Sequence, residues 1–272
     1  MTKKSRPDGP GAIVLFGSGE MSPTGRKIHE QIVKEATFEA PVRIGILETP
    51  TGFEVNAIHG WPERMEAFFV KGLKNYKPEI ARIRAWRKDG EYSTNDPTVV
   101  DAILNQEYLY CGAGSPGYTI AHLRDSLAWK NMVQAHKQGS ILCLGSASAV
   151  AVSTFALPVY EIFKAGADLH WLDGLDLFTS YGLTLAIVPH WNNKEGEDFD
   201  TTRCWMGESR FARLEKLLPT GVTVLGIDEQ TACVFDVTAK TVHVLGVGAL
   251  HIRKSGKQTV IASGASCGFE AL

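Results

Sequence analysis

The feature that most constrains this chain is a repeated pattern in which short apolar runs, several closed by glycine or serine, alternate with longer mixed stretches. Runs at 12–16, 42–47, 107–111 and 140–144 have the length and continuity of strands buried on both faces of a sheet. The amphipathic stretches between them are the crossover helices that parallel strands need. The pattern predicts helices over 24–36, 57–73, 118–133 and 207–218, and a short helix opened by Pro97. It predicts further strands over 80–85 and 183–188, the second running into Pro189-His190-Trp191. From 222 onward the spacing shortens to that of hairpins, with strands expected at 222–226, 232–236, 241–245, 249–253 and 259–262. The fold class read from this is α/β: a single doubly wound, mostly parallel sheet with flanking helices and a C-terminal antiparallel extension. One domain is expected over 11–272, behind a flexible leader over 1–10.

Charge and cysteine usage narrow the function. Acids and bases nearly balance over 272 residues, for a formal net charge of −2, and they are interleaved along the chain. No electrostatic footprint for nucleic acid or an anionic membrane is present, which points to a small substrate. The five cysteines show no paired spacing and read as reduced thiols of a cytoplasmic protein. No stretch approaches the ~20 apolar residues of a membrane span. Neither a Cys-x-x-Cys nor a His-x-x-x-His pattern occurs, so no metal site is expected.

Ligands of open α/β sheets bind at the carboxyl ends of the strands, and polar residues stand there at three places. Ser146 lies where the strand at 140–144 breaks into an Ala- and Ser-rich helix. Such a turn lifts a nucleophile out of the sheet, although serine is also a favoured helix N-cap. Gly112-Ala113-Gly114-Ser115-Pro116-Gly117 matches a dinucleotide fingerprint, but the next strand ends in Gly and Ser with no acid for a ribose. The remaining readings of that loop are a tight turn and an oxyanion hole using the Gly114 amide. His190 follows an apolar strand and is either a structural histidine or a general base. A carboxylate orienting it is expected between Ser146 and His190 in the order Ser, acid, His. Glu161 is favoured there and Asp168 held in reserve. Cys143 is the thiol nearest Ser146, but it lies inside the strand and reads as inert.

Taken in order, several blocks resemble the peptidase family of dipeptidase E and cyanophycinase, whose fold is like that of class I glutamine amidotransferases. Tyr110-Cys111-Gly112-Ala113-Gly114-Ser115 is similar to that family's glycine loop. Leu144-Gly145-Ser146-Ala147-Ser148-Ala149 resembles its Gly-x-Ser-Ala-Gly-Ala nucleophile turn. Asp173-Gly174-Leu175-Asp176-Leu177-Phe178, Val188-Pro189-His190-Trp191 and Arg210-Phe211-Ala212-Arg213-Leu214 follow in the family's order. Gly226-Ile227-Asp228-Glu229-Gln230-Thr231-Ala232 is the most specific block, and Leu245-Gly246-Val247-Gly248-Ala249 resembles the closing turn.

The resemblance implies a serine hydrolase cleaving small acidic or β-aspartyl peptides. Ser146 would be the nucleophile, His190 the base, Glu161 the orienting acid, and Gly114 with Ala147 the oxyanion-hole amides. Arg203, Arg210 and Asn192 would contact substrate. It further implies no cofactor, and a monomer or small homo-oligomer such as a homodimer. The chain departs from the family at Ser148, Ala113 and Leu144, each where a glycine is expected. A one-residue slip of the turn would put Ala147 at the nucleophile position and yield a non-catalytic ligand- or partner-binding member of the same fold.

Overall fold

The computed structural model describes residues 9–54, 56, 60–254 and 256–272. In chain order the strands are β1 (Ile13–Phe16), β2 (Arg43–Leu47), β3 (Glu79–Ile83), β4 (Tyr108–Cys111), β5 (Ile141–Gly145), β6 (Phe155–Ala156), β7 (Leu172–Asp173), β8 (Leu185–Val188), β9 (Thr223–Ile227), β10 (Thr231–Asp236), β11 (Thr241–Gly246), β12 (Ala249–Lys254), β13 (Lys257–Ala262) and β14 (Ser266–Gly268). The helices are α1 (Pro23–Glu35), α2 (Trp61–Gly72), α3 (Pro97–Val100), α4 (Pro116–Leu123), α5 (Leu127–Lys137), α6 (Ala147–Ala151), α7 (Val159–Phe163) and α8 (Gly207–Glu215).

The central sheet has the order β14-β11-β10-β1-β5-β4-β2-β3. Its five-strand core β1-β5-β4-β2-β3 is parallel, and β10, β11 and β14 continue it antiparallel. This is the expected class, a large mostly parallel sheet flanked by helices. Both faces are dry, which is why these strands read as continuous apolar runs rather than alternating ones. Val14, Phe16, Ile44, Ile46 and Tyr110 pack against α1 and α2. Ile13, Leu15, Leu109, Leu142 and Leu144 face the other way, toward α4, α5 and α6.

That second face also carries a four-stranded sheet of order β13-β12-β9-β8, in which β8 and β9 are parallel. The strand before His190 therefore belongs to this separate sheet rather than to the central one. Its Leu185, Ile187, Val224 and Leu225 join the same core as Ile13 and Leu142.

The helix expected over 118–133 is two helices. Asp125 takes a positive φ of 60°, and Ser126 restarts the chain by accepting a hydrogen bond from the Trp129 amide. Helix propensity on either side concealed a local serine cap. Of the helix expected over 57–73, the observed part is α2; positions 57–59 and most of the expected leader lie outside the described residues. Among the described residues no helix is long and apolar enough to cross a membrane.

Candidate active site

Three parallel strand ends of the central sheet converge on one point. β1 delivers Gly17-Ser18-Gly19-Glu20, β4 delivers the loop 112–115, and β5 delivers Ser146. From the second sheet, β8 delivers His190 and β9 delivers Glu229.

Ser146 joins β5 to α6 with φ 46° and ψ −108°, and its side chain caps no helix. The helix-cap reading therefore does not describe this serine. A non-glycine residue in that region is strained by roughly 1–3 kcal/mol, and such turns push the side chain clear of the sheet. The turn falls on Ser146, not on Ala147. A Cβ on Gly145 would meet Oε1 of buried Glu20 at 1.9 Å, so a larger residue there would displace that carboxyl.

Ser146 Oγ lies 3.0 Å from Nε2 of His190. His190 is itself held at φ 51°, its amide donating to the Gly17 carbonyl at 3.0 Å and its carbonyl accepting from Cys204. Its Nδ1 is 2.9 Å from Oε1 of Glu229. With both ring nitrogens taken, Glu161 and Asp168 bond neither, and the carboxylate that bonds His190 is Glu229, not the expected Glu161. Glu161 instead lies against the first turn of α4, where its Oε1 would touch a Cβ on Gly117. The backbone carbonyl of Asp168 accepts from His170.

Glu229 is closely supported. Asn193 donates to the same Oε1 at 3.0 Å, and the Glu229 amide donates to Oδ1 of Asn192 at 2.8 Å. The hydrogen bond from His190 holds the Glu229 carboxyl below its usual range, ahead of the opposing effect of partial burial and with help from Asn193. It stays ionised and favours the imidazole tautomer with its proton on Nδ1, leaving Nε2 free to accept from Ser146.

The block 226–229 becomes intelligible residue by residue. A side chain on Gly226 would strike the indole of Trp191 at 2.2 Å. The Ile227 carbonyl accepts from the Trp191 amide at 3.1 Å. Asp228 accepts from the Ala249 amide and meets Nε2 of His251 at 3.1 Å. These contacts fix the frame from which Glu229 points at His190. The order in the chain is Ser, His, Glu, and the block that carries the acid was visible in the sequence as the most specific one.

Gly114 and Ala147 both line the cavity beside Ser146. Among the described residues the Gly114 amide makes no backbone–backbone bond, and Ala147, as the first residue of α6, has no intrahelical partner for its N–H. Gly114 has φ 148°, and a Cβ there would collide with the Pro50 carbonyl at 1.9 Å. The departure at Ser148 has a structural use: its hydroxyl donates to the Gly112 carbonyl at 2.8 Å, tying the glycine loop to the turn at Ser146.

The other side chains expected to read substrate are engaged elsewhere. The Arg203 guanidinium stacks on Trp191 at 4.1 Å, donates to the Trp191 carbonyl and pairs with Glu208 at 2.8 Å. Only its Nε lacks a partner, and that atom is buried. Arg210 donates from Nε to the Met206 carbonyl of its own helix. Asn192 serves Glu229. Burial pushes the Cys143 thiol well up and Cys111 up to about 12, so neither is a thiolate nucleophile. Among the described residues no cluster of His, Cys, Asp and Glu could hold a metal ion.

Glu20 was not singled out as a site residue by its sequence. It is buried beneath the turn, with Oε1 unpartnered. Burial raises its pKa, opposed by its own backbone amide and by the proximity of His190. Its only sequence signal was an acid closing a strand-end glycine loop.

Solved structures share this arrangement of strands. The chain superposes on a peptidase from an acI-B1 Actinobacterium with a TM-score of 0.76, at 21% identity over 97% of this chain and 99% of that one. This is a peptidase fold. A second structure of the peptidase fold, a Peptidase E-like protein from Listeria monocytogenes EGD-e, matches with a TM-score of 0.58 at 13% identity over 88% of this chain and all of that one. No family model matches the chain, and no curated protein matches it in sequence.

Proposed function

We propose that this protein is a serine hydrolase that cleaves small peptides through Ser146, His190 and Glu229. The observation that carries the reading is the relay at the strained turn: Ser146 Oγ on one nitrogen of His190 at 3.0 Å, Glu229 on the other at 2.9 Å. Both separations are hydrogen-bond distances, the geometry an activated serine needs.

In the proposed reaction His190 Nε2 takes the Ser146 proton as Oγ attacks the scissile carbonyl carbon. The oxyanion is met by the amides of Gly114 and Ala147, and the imidazolium is stabilised by Glu229. Collapse of the tetrahedral species breaks the C–N bond, and His190 gives its proton to the departing amine. A water then loses a proton to His190 and attacks the acyl carbon, releasing the acid and restoring the Ser146 hydroxyl.

The competing reading is a non-catalytic binding protein of the same fold. It leaves the backbone strain at Ser146 and His190 without a use. A fluorophosphonate probe separates the two. Stoichiometric labelling located on Ser146 by peptide mass mapping, and lost in Ser146→Ala, is the expected result. A native protein that takes up no label, or takes it up elsewhere, overturns the hydrolase reading.

A further inference from the structure

The cavity beside Ser146 bears on which peptides this site accepts. Besides Ser146 and the two amides, its walls are Pro116, Val150, Val159, Tyr160, Pro189, Cys204 and Trp205. No charged side chain among the described residues lines it. Its volume is small, about 20 Å³.

Its outer wall is built with strain. Arg203, Cys204 and Trp205 are three successive non-glycine residues in the left-handed region, with φ of 57°, 57° and 63°. Arg203 anchors that turn on Trp191 and Glu208, which is the task that occupies its charge. The turn lays the Trp205 ring against His190, centroids 4.7 Å apart. Such strain persists only where its surroundings hold it, and it gathers at functional sites.

Resting on the hydrolase reading above, we infer that the residue supplying the scissile carbonyl carries a small apolar side chain of about the size of alanine's methyl, and not an acidic one. The cavity shares its walls with both oxyanion amides and with Ser146, so a group inside it is attached next to the carbonyl under attack. Val150, Val159 and Pro116 offer a methyl group a dry contact surface. A carboxylate placed there would lose its water and meet no cation among the described residues, while the two amides are taken by the oxyanion. The charges held near the reacting atoms are also of the wrong sign, since ionised Glu229 is one hydrogen bond behind His190.

The test is a series of otherwise identical chromogenic peptides in which only the acyl-side residue varies among Gly, Ala, Asp and Phe. Cleavage of the alanyl substrate should exceed that of the aspartyl one by roughly 100-fold in kcat/KM, with the phenylalanyl one also disfavoured. Tyr160 stands at the mouth, 43% exposed, so its replacement is compatible with folding. Tyr160→Ala should raise the Phe-to-Ala ratio about tenfold, and Tyr160→Arg should raise the Asp-to-Ala ratio by a similar factor. Aspartyl cleavage equal to or above alanyl, in a protein that still labels with fluorophosphonate, overturns this inference and leaves the hydrolase reading standing. An unchanged Phe-to-Ala ratio in Tyr160→Ala overturns it as well. Absence of both labelling and cleavage overturns both.

Discussion

Glu229 reaches Nδ1 of His190 at 2.9 Å although it stands 39 residues later in the chain. The approach is set by the parallel pairing of β8 and β9, in which Val188 lies opposite Gly226. Two residues past the first and three past the second, the chain leaves the sheet on the same side, with the two side chains in hydrogen-bond contact.

Glu229→Gln keeps the shape but places an amide beside a ring nitrogen that must stay protonated. The imidazole then favours the other tautomer, with its proton on Nε2 facing Ser146. Turnover should fall by about 10³–10⁴-fold, with KM nearly unchanged and the melting temperature within a few degrees. A loss of less than tenfold in kcat would show that Glu229 does not orient the ring.

Ser146→Gly relieves the positive φ while removing the hydroxyl proposed as the nucleophile. Unfolding by denaturant should show a gain of about 1 kcal/mol, after the added freedom of the unfolded chain is subtracted. Hydrolysis and probe labelling should both vanish. A variant less stable than the native protein would mean that the turn at Ser146 is not strained.

Ser148→Ala removes the donor to the Gly112 carbonyl, leaving that buried oxygen with no donor among the described residues. The expected cost is about 1–2 kcal/mol, seen as a drop of a few degrees in melting temperature. Loosening of the loop that holds Gly114 should lower kcat more than it raises KM. If KM alone changes, Ser148 does not act through the oxyanion loop.

Buried His29 has its pKa lowered to about 3 by desolvation, and His136 to about 4 by burial together with nearby Lys137. Each is neutral in the folded protein and takes up a proton in the unfolded chain below ~6.5. The unfolded state therefore binds more protons between those limits, and stability rises with pH from about 3–4 to about 6.5, flat above. Each group contributes a slope of up to about 1.4 kcal/mol per pH unit. Glu20 has the opposite sign: its raised pKa makes stability fall as pH rises above ~4.5, toward its folded value. Denaturant titrations at pH 5, 6 and 7 should show a shallower rise in His29→Gln and a steeper one in Glu20→Gln. Unaltered slopes in both would remove these groups from the pH dependence.

Several parts of this protein are determined by its sequence alone. Short apolar runs ending in small residues set a parallel α/β core, because a strand buried on both faces has no wet side to mark with polar residues. The same local logic placed Ser146, Gly114 and His190 at strand ends, where an α/β fold binds its ligands. The split of the helix at Asp125 and Ser126 was legible too, had the serine been read as a cap.

What tertiary structure alone decided were pairings between distant segments. Nothing near Leu185 or Thr223 says that these strands leave the central sheet and lie side by side, because strand pairing depends on which apolar faces meet, not on either strand's own residues. That pairing selects Glu229 over Glu161. It also draws Trp191 beneath Arg203 and so withdraws that charge from the site. A side chain's type limits the chemistry it can do, but its partners across the fold determine which of those roles remains open.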